Sequence, residues 1–472
     1  MQQFKYDLVL YGGTVVDPTN SVGGICDLAI KDGKVVAVAP ELDKTLAQAA
    51  LDVSGLHVLP GIFDTHVHLS PRHSGEYGYR MLAQSGVTTT LEISGPIDGT
   101  LDLAAQSGVG INMALLDQIR PGVTVPNDHP SEREVEEFIE RCLDKGGLGV
   151  KMLGGHYPLT PEATGNTIAA AYKSKAYVAF HAGTKATGSD LRGGLEAIEL
   201  AAGKPLHLAH VNSYCRGSIK PNWQEAEDMI EALTNNPNIR AESYLAAING
   251  CGSKCTNGVP DSLVTQRCLK VGGFEPTEAG MEQAILAGWA QINVHGAGQI
   301  DLATGVKAVE YWRSKETDGE VSFSVNPPEA RYRLAVAKKQ DGSFVVDCLA
   351  TDGGAIPRNV IVPMGLGLVN LQAWTIADFV TKTSINPARW FGLSNKGHLS
   401  IGADADITVV SLQEQKPVMT IVDGELVMHK GAIIPRKMRI ITTAQGEKAI
   451  KARGFATQVI DMEQTAYFKG MK

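Results

Sequence analysis

Two histidines separated by one residue, His66 and His68, have the spacing in this chain that most directly suggests chemistry. On a β-strand, residues i and i+2 point to the same face, roughly 6.5–7 Å apart along the strand. Two imidazoles presented in this way can bind one divalent transition-metal ion. The apolar run from Leu56 to Phe63 predicts a buried strand that ends at the pair. The pair alone is weak evidence for a metal site, so the prediction depends on further potential ligands elsewhere in the chain.

The middle of the chain, roughly residues 58–396, alternates short apolar strands with longer helical patterns. In SEREVEEFIERCLDKG, for example, a helix is predicted to begin at the N-cap Ser131, with acidic residues in its first turn and a glycine pair at its end. About eight alternations predict an α/β fold, a (β/α)8 TIM barrel, whose functional residues lie at the carboxyl ends of the strands. Residues from about 245 to 345 fit this count poorly, and we expect them to form an insertion after the seventh strand.

Both chain ends instead alternate β-branched and polar residues, with Asp-Gly turns at Asp32-Gly33 and Asp423-Gly424. This pattern is typical of short antiparallel strands. We therefore expect a small β-sandwich domain built from residues 1–57 and 397–472. The barrel domain would then comprise residues 58–396.

The predicted strand ends carry a consistent set of candidate metal ligands. These are His66 and His68 on the first strand, Lys151 on the fourth, His181 on the fifth, His210 on the sixth and Asp352 on the last. Four imidazoles and a carboxylate at one barrel mouth would be costly to bury without a metal ion. A bound metal lowers the pKa of its water toward about 7, which makes that water a nucleophile at neutral pH.

Lys151 is the unusual member of this set, because a protonated lysine repels a cation. It can serve only if its amine is neutralised, and carboxylation of the Nζ atom by CO₂ turns it into a carboxylate that can bridge two metals. This chemistry predicts a binuclear site with a hydroxide held between ions about 3.5–4 Å apart. Zn is the metal we expect, although Mn, Fe and Co suit the same ligands.

These motifs, together with the tail SINPARWFGLSNKGHLSIGADADITVVSL, resemble the amidohydrolase superfamily. The similarity covers essentially the whole chain and is to the branch of hydantoinases, dihydroorotases, allantoinases and D-aminoacylases. It implies a more buried metal bound by His66, His68 and Asp352, a more exposed one bound by His181 and His210, and carboxylated Lys151 bridging both. It also implies that Asp352 is the general base, which takes a proton from the attacking hydroxide and passes it to the leaving nitrogen.

His207 competes with His210 for the position on the sixth strand. Residues three apart on a strand face opposite sides, so only one of the two is expected to point into the barrel. The HVNS sequence around His210 resembles the sixth-strand motif of the family, and we therefore choose His210.

Positions at which the sequence departs from the family reduce the range of candidate substrates. Dihydroorotases carry an arginine two residues after the second histidine, where this chain has Ser70. D-Aminoacylases resemble the chain in the Thr-Asp-Gly and AESY stretches, but they usually bridge the metals with a cysteine after the second strand, where this chain reads LEISGP. Hydantoinases match the ligand set but not the substrate loops. The hydantoinase-like and D-aminoacylase-like alternatives both stay open.

Polar residues beyond the strand ends are candidates for substrate binding. They are Arg72, His156, Tyr157, Asn212, Ser213, Tyr244 and Arg358. An arginine at such a position can form a two-point contact with a carboxylate, with a surface salt bridge as the alternative for Arg72. The tyrosine, asparagine and serine side chains could orient a carbonyl.

The sequence thus predicts an enzyme, a metal-dependent amidohydrolase that cleaves an amide C–N bond outside peptides with a metal-bridging hydroxide. The expected substrate is a cyclic ureide or lactam, or an N-acyl amino acid. One alternative is a related hydrolase of an ester, lactone or carbamate. A non-catalytic structural relative is disfavoured, because no ligand is missing.

Composition limits the partners. The net charge of −8 argues against nucleic acid or an anionic membrane, and the sequence contains no run of about 18 apolar residues. Seven cysteines, an odd number spread thinly, fit a reducing cytoplasm, and Cys251 and Cys255 are expected to be free thiols in a loop rather than zinc ligands. We expect a cytoplasmic homo-oligomer, a dimer or tetramer, that acts on a small molecule.

Overall fold

A computed structural model describes residues 4–296 and 298–471. Its centre is a ring of parallel strands in which each strand pairs with the next. The strands are β1 (Ile62–His68), β2 (Val87–Glu92), β3 (Asn112–Ile119), β4 (Gly149–Leu153), β5 (Tyr177–His181), β6 (Leu206–Leu208), β7 (Ile239–Ser243) and β8, which has two pieces, Cys348–Leu349 and Gly353–Gly354. The first piece of β8 pairs with β7 and the second with β1, which closes the ring.

Eight helices alternate with these strands around the ring. They are α1 (Gly75–Gln84), α2 (Ile97–Ser107), α3 (Glu132–Asp144), α4 (Pro161–Lys173), α5 (Leu191–Ala201), α6 (Asn222–Asn235), α7 (Pro328–Val336) and α8 (Ile361–Asn370). In α3, the N-cap Ser131 and Glu134 form a capping box, and Val135, Phe138 and Ile139 on one face are buried. The predicted (β/α)8 barrel is confirmed.

The chain ends build a second sheet beside the barrel. Its strands are Tyr6–Asp17, Val22–Lys31, Lys34–Ala39, Ala47–Asp52, His57–Pro60, Ile407–Ser411, Lys416–Val422, Glu425–His429 and Ala432–Ile433. The N-terminal and C-terminal halves meet where His57–Pro60 pairs antiparallel with Ile407–Ser411. Both Asp-Gly pairs close two-residue hairpins with positive φ at each position, as the sequence predicts.

The last part of the chain returns to the barrel. Residues Arg439–Thr442 pair in parallel with β3, and Ala456–Val459 pairs with Arg439–Thr442. The short helices Ile376–Val380, Asn386–Trp390, Glu447–Ala452 and Ala466–Lys469 complete this region. Residues 439–459 therefore pair with the barrel sheet rather than with the sheet to which we assigned them, while the division near residues 57 and 397 stays a prediction.

The expected insertion lies between β7 and α7. Its strands are Asn249–Gly252, Cys255–Thr256, Val259–Pro260, Ala290–Gly296, Gln299–Ala303 and Glu320–Phe323, and its helices are Leu263–Val271, Glu278–Leu286 and Gly305–Ser314. It has its own apolar core around Trp312. Cys251 and Cys255 are free thiols, as expected, but they lie in strands rather than in a loop. In the described ranges, every helix is too short or too polar to cross a membrane.

A buried ion network joins the end sheet to the barrel. Lys396 Nζ lies 2.6 Å from Asp406 Oδ2 and 2.9 Å from Asp404 Oδ2. Asn112 on β3 donates to the same Asp406 oxygen, and Lys34 of the end sheet contacts Asp404 Oδ1. One buried cation therefore compensates two buried carboxylates at the junction of the two sheets.

We expect Lys396→Met to lower the free energy of unfolding by about 3–5 kcal/mol, because it leaves the buried Asp406 carboxylate without its cation and Asp404 with only the half-exposed Lys34 close by. Urea denaturation followed by circular dichroism measures the change. The matched control is Lys34→Met, which removes a half-exposed cation and should cost below about 1 kcal/mol. Equal losses in the two variants would contradict a special role for Lys396.

Candidate metal centre

The predicted ligands converge at the carboxyl end of the barrel. The ring centroids of His66 and His68 are 5.5 Å apart, those of His66 and His210 are 5.2 Å apart, and those of His181 and His210 are 4.5 Å apart. Ligating atoms of His66, His210 and Asp352 all lie within 4.8 Å of one another. The structure therefore brings these side chains together, and their role as metal ligands stays a prediction.

Asp352 is the carboxylate at the centre of this cluster. Its Oδ1 atom lies 3.0 Å from His66 Nε2 and 2.7 Å from His68 Nε2, and its Oδ2 atom lies 2.5 Å from Arg358 Nη2. A left-handed backbone (φ 52°) between the two pieces of β8 turns the residue toward the histidines. Burial acts to raise the pKa of the Asp352 carboxyl, but Arg358 and His66 hold it well below its usual range. Asp352 is therefore ionised.

Glu242, at the end of β7, is a site residue that our sequence analysis missed. Its Oε1 atom accepts hydrogen bonds from His66 Nδ1 at 2.6 Å and from the backbone nitrogen of His210 at 2.7 Å. Burial acts to raise the pKa of Glu242, but the neighbouring His66 and His207 rings hold it at about 2. The signal was a carboxylate at a buried strand end, in the AESY stretch.

The Glu242 bond fixes how His66 meets Asp352. An ionised carboxylate only accepts hydrogen bonds, so Nδ1 of His66 carries a proton and Nε2 is the ring nitrogen left for a second proton or for a metal. Nε2 faces the ionised Asp352 Oδ1 atom at 3.0 Å. Burial acts to lower the pKa of His66, but the Asp352 charge raises it overall, so this position favours positive charge between the two atoms. The donor set therefore fits a bound cation.

His181 and His210 are also suited to metal binding. Burial lowers the pKa of both imidazoles well below its usual value, so both rings are neutral near pH 7. Neutral imidazole is the form that binds a metal. His181 Nε2 lies 2.8 Å from Ser189 Oγ, and His210 sits in a left-handed turn just after β6.

Lys151 lies in the same cluster on β4. Its side chain is fully buried, and among the described residues its Nζ atom has no hydrogen-bond partner. Burial lowers the pKa of Lys151 to about 8, against the opposite effect of Glu242 and Asp352. Leaving a buried amine unpaired costs free energy. Carboxylation, which stays a prediction, would turn the amine into an oxygen donor of the kind that a metal site needs.

The expectation that only one of His207 and His210 faces the barrel is wrong. His207 is fully buried on β6, with Nε2 3.7 Å from Glu242 Oε1 and its ring centroid 6.4 Å from that of His66. Strand β6 ends at Leu208, and the backbone at His210 turns with φ 36°. Strand alternation therefore does not extend to His210, and both imidazoles point inward.

The predicted substrate residues fall into two groups. His156, Tyr157 and Arg72 are exposed at the rim, where a cavity of about 390 Å³ opens beside His156. The other group, Asn212, Ser213, Tyr244 and Arg358, is buried.

The buried group is held by internal contacts. Asn212 Oδ1 accepts from the Tyr244 backbone nitrogen at 3.0 Å, and Ser213 Oγ lies 2.9 Å from Tyr244 Oη. Arg358 is not presented to a substrate, because its guanidinium binds the Asp352 carboxylate and the Asp352 carbonyl oxygen. Its role is to keep Asp352 ionised, which the sequence did not reveal.

Comparison with known proteins finds similarity to amidohydrolases. The model of the amidohydrolase family matches residues 331–427. An allantoinase of Deinococcus radiodurans is 25% identical over 88% of this chain and 89% of its own length. An N-acyl-D-glutamate deacylase of Alcaligenes xylosoxydans xylosoxydans is 25% identical over 86% of this chain and 88% of its own length.

Among solved structures, the N-acyl-D-glutamate deacylase of Bordetella bronchiseptica, complexed with zinc and a phosphonate inhibitor, has a similar fold. The TM-score is 0.65 at 16% identity, and the match covers 92% of this chain and 99% of that one. The match extends over the barrel and the end sheet together. The chain is thus similar to amidohydrolases in one family-model match and in two relatives that it matches over most of their length.

Proposed function

We propose that this protein holds two divalent metal ions, zinc first among the candidates, between its four site histidines, Asp352 and a carboxylated Lys151. The chain is a hydrolase of C–N bonds outside peptides, as its superfamily and its full-length relatives are. The finer claims concern the number of ions and the modified lysine. They are supported by the side chains that meet at the barrel mouth.

The observation that carries the proposal is the buried Lys151 amine, for which residues 4–296 and 298–471 supply no hydrogen-bond partner. When its Nζ atom adds to CO₂, an N–C bond forms, the nitrogen releases a proton, and the product is a carbamate with two acceptor oxygens. This reaction replaces an unpaired donor by a bidentate anion of the kind that divalent metals bind. A mononuclear site would have no use for this residue.

The residues of the chain supply the proton transfers. A divalent metal bound here lowers the pKa of a bound water toward about 7 and so provides the nucleophile. The ionised Asp352 carboxylate accepts the proton of the attacking water and delivers it to the leaving nitrogen. Arg358 keeps this carboxylate ionised, and Glu242 keeps His66 in one tautomer and orientation.

The substrate that we propose is a cyclic ureide or lactam, or an N-acyl amino acid. The allantoinase and the N-acyl-D-glutamate deacylase that the chain resembles represent these two classes. Esters, lactones and carbamates are the second candidate, since the same residues can direct water at their carbonyl carbon. We also propose a cytoplasmic homo-oligomer, a dimer or tetramer; the seven free cysteines support a reducing compartment.

Replacing Lys151 by Ala tests the bridging role. We expect the metal content to fall from about two ions per chain toward one, with loss of hydrolysis, because the bridging ligand is gone. Inductively coupled plasma mass spectrometry of the purified variant measures the stoichiometry.

The control for this variant is Lys382→Met, which removes a second fully buried lysine whose amine donates to Ala335 O away from the site. It should keep the full metal content and activity. Unchanged stoichiometry in Lys151→Ala, or equal loss in both variants, would refute the bridging role.

The variant Asp352→Asn distinguishes a role of Asp352 in proton transfer from a role in the stability of the fold. The variant should keep its melting temperature within a few degrees and retain bound metal, while kcat falls by roughly 10²–10⁴-fold through loss of the general base. The measurement is hydrolysis of a panel of hydantoins, lactams and N-acetyl or N-formyl D- and L-amino acids by the metal-loaded protein. Normal turnover in this variant would place the base at another residue.

A further inference from the structure

Two arginines at the barrel mouth lack counter-ions. Arg72 follows β1 and Arg120 follows β3, and their side-chain hydrogen bonds go to neutral groups. Arg72 Nη1 donates to Ser94 O at 3.3 Å, and Arg120 Nη2 donates to Tyr157 Oη at 3.2 Å. Within the described ranges, neither guanidinium lies in salt-bridge distance of a carboxylate, and the buried Nε of Arg120 has no hydrogen-bond partner.

These two guanidinium groups act on each other. Burial and the charge of Arg120 lower the pKa of Arg72. The carboxylate that acts most strongly to raise the pKa of Arg72, Asp117, is buried and accepts hydrogen bonds from the backbone nitrogens of Gln118 and Ile97. Two like charges held together in this way favour a bound anion, because the anion relieves their repulsion.

Intervening residues connect both arginines to the predicted metal ligands, Ser94 for Arg72 and the pair Tyr157 and His156 for Arg120. Arg72 contacts Ser94, whose hydroxyl lies 2.8 Å from His68 Nδ1. Arg120 stacks on the Tyr157 ring at 4.8 Å. The neighbouring His156 ring lies 6.1 Å from that of His181. The two arginines therefore flank the mouth through which a substrate reaches the histidines.

The Tyr157 ring also orients the guanidinium of Arg120. An arginine that is already stacked and hydrogen-bonded loses little further side-chain conformational entropy when it binds an anion. Its parallel N–H donors also match the two oxygens of a carboxylate. By contrast, Lys185 at the same rim is paired with Asp128 at 2.8 Å. Of these three cations at the rim, only the two arginines lack a paired carboxylate among the described residues.

We propose that Arg72, Arg120 and Tyr157, which we call the anion clamp, bind a carboxylate of the substrate while its amide carbonyl lies at the metal centre. The proposal rests on the proposed hydrolase function and narrows it to amides that carry an acid group, as N-acyl amino acids do. Uncharged cyclic ureides would leave the clamp without a ligand.

The test uses calorimetric titration of the metal-loaded protein with N-methanesulfonylglycine and with the corresponding neutral amide. The sulfonamide resists hydrolysis, and the two probes differ only in the charge of the acid group. We expect the wild-type protein to favour the acid, and Arg120→Gln and Arg72→Gln each to weaken its binding by roughly 10- to 100-fold with little change for the amide. Arg133→Gln, an exposed arginine paired with Glu137 on α3, controls for the change in net charge and should bind both probes as wild type does.

Three results would overturn the clamp: no preference of the wild type for the acid, unchanged acid binding in the two arginine variants, or tighter binding of inorganic phosphate than of the acid. The hydrolase function is judged separately, from turnover of the panel of hydantoins, lactams and N-acyl amino acids by the wild-type protein. If that turnover persists while the acid preference is absent, the clamp fails and the proposed function stands. If the wild type shows no turnover although the acid binds through the arginines, the proposed hydrolase function fails and the clamp stands.

Discussion

The contact of His66 with two carboxylates determines the rest of the site. Glu242 accepts a hydrogen bond from His66 Nδ1 at 2.6 Å, and Asp352 Oδ1 lies 3.0 Å from the other ring nitrogen. Both carboxyls are ionised in a buried environment, since their pKa values are held low. An arrangement of this kind is stable only with positive charge inside it, which Arg358 supplies in part and a divalent cation would complete.

The barrel provides the rigidity that this contact needs. His66 is on β1, Glu242 is on β7 and Asp352 is between the two pieces of β8, so hydrogen bonding between adjacent strands fixes the three side chains relative to one another. The insertion after β7 adds a contact from outside, because Glu320 accepts a hydrogen bond from His73 Nδ1 at 2.8 Å. The His73 ring in turn lies 4.9 Å from that of His68. The insertion thus supports the same loop that carries Arg72.

The sequence predicted the barrel and the candidate ligands because both depend on local patterns. Strand and helix periodicity repeat along the chain, and histidines at strand ends such as His66 and His181 need only the order of strands to be placed together. Glu242 was missed because a single carboxylate in a strand does not show which imidazole it binds. The inward position of His207 was missed because it depends on the end of β6 at Leu208 and a left-handed turn at His210. The pairing of Arg439–Thr442 with β3 could not be predicted, since a short β-branched strand fits either sheet equally well.

The central claim is that Lys151 bridges two metal ions as a carbamate. Anomalous diffraction from crystals of the zinc-loaded protein, recorded on both sides of the zinc absorption edge, measures this directly. We expect two zinc peaks about 3.5–4 Å apart, with continuous density for a carboxyl group on Lys151 between them. A single peak beside His66, His210 and Asp352, with an unmodified Lys151 amine, would contradict it.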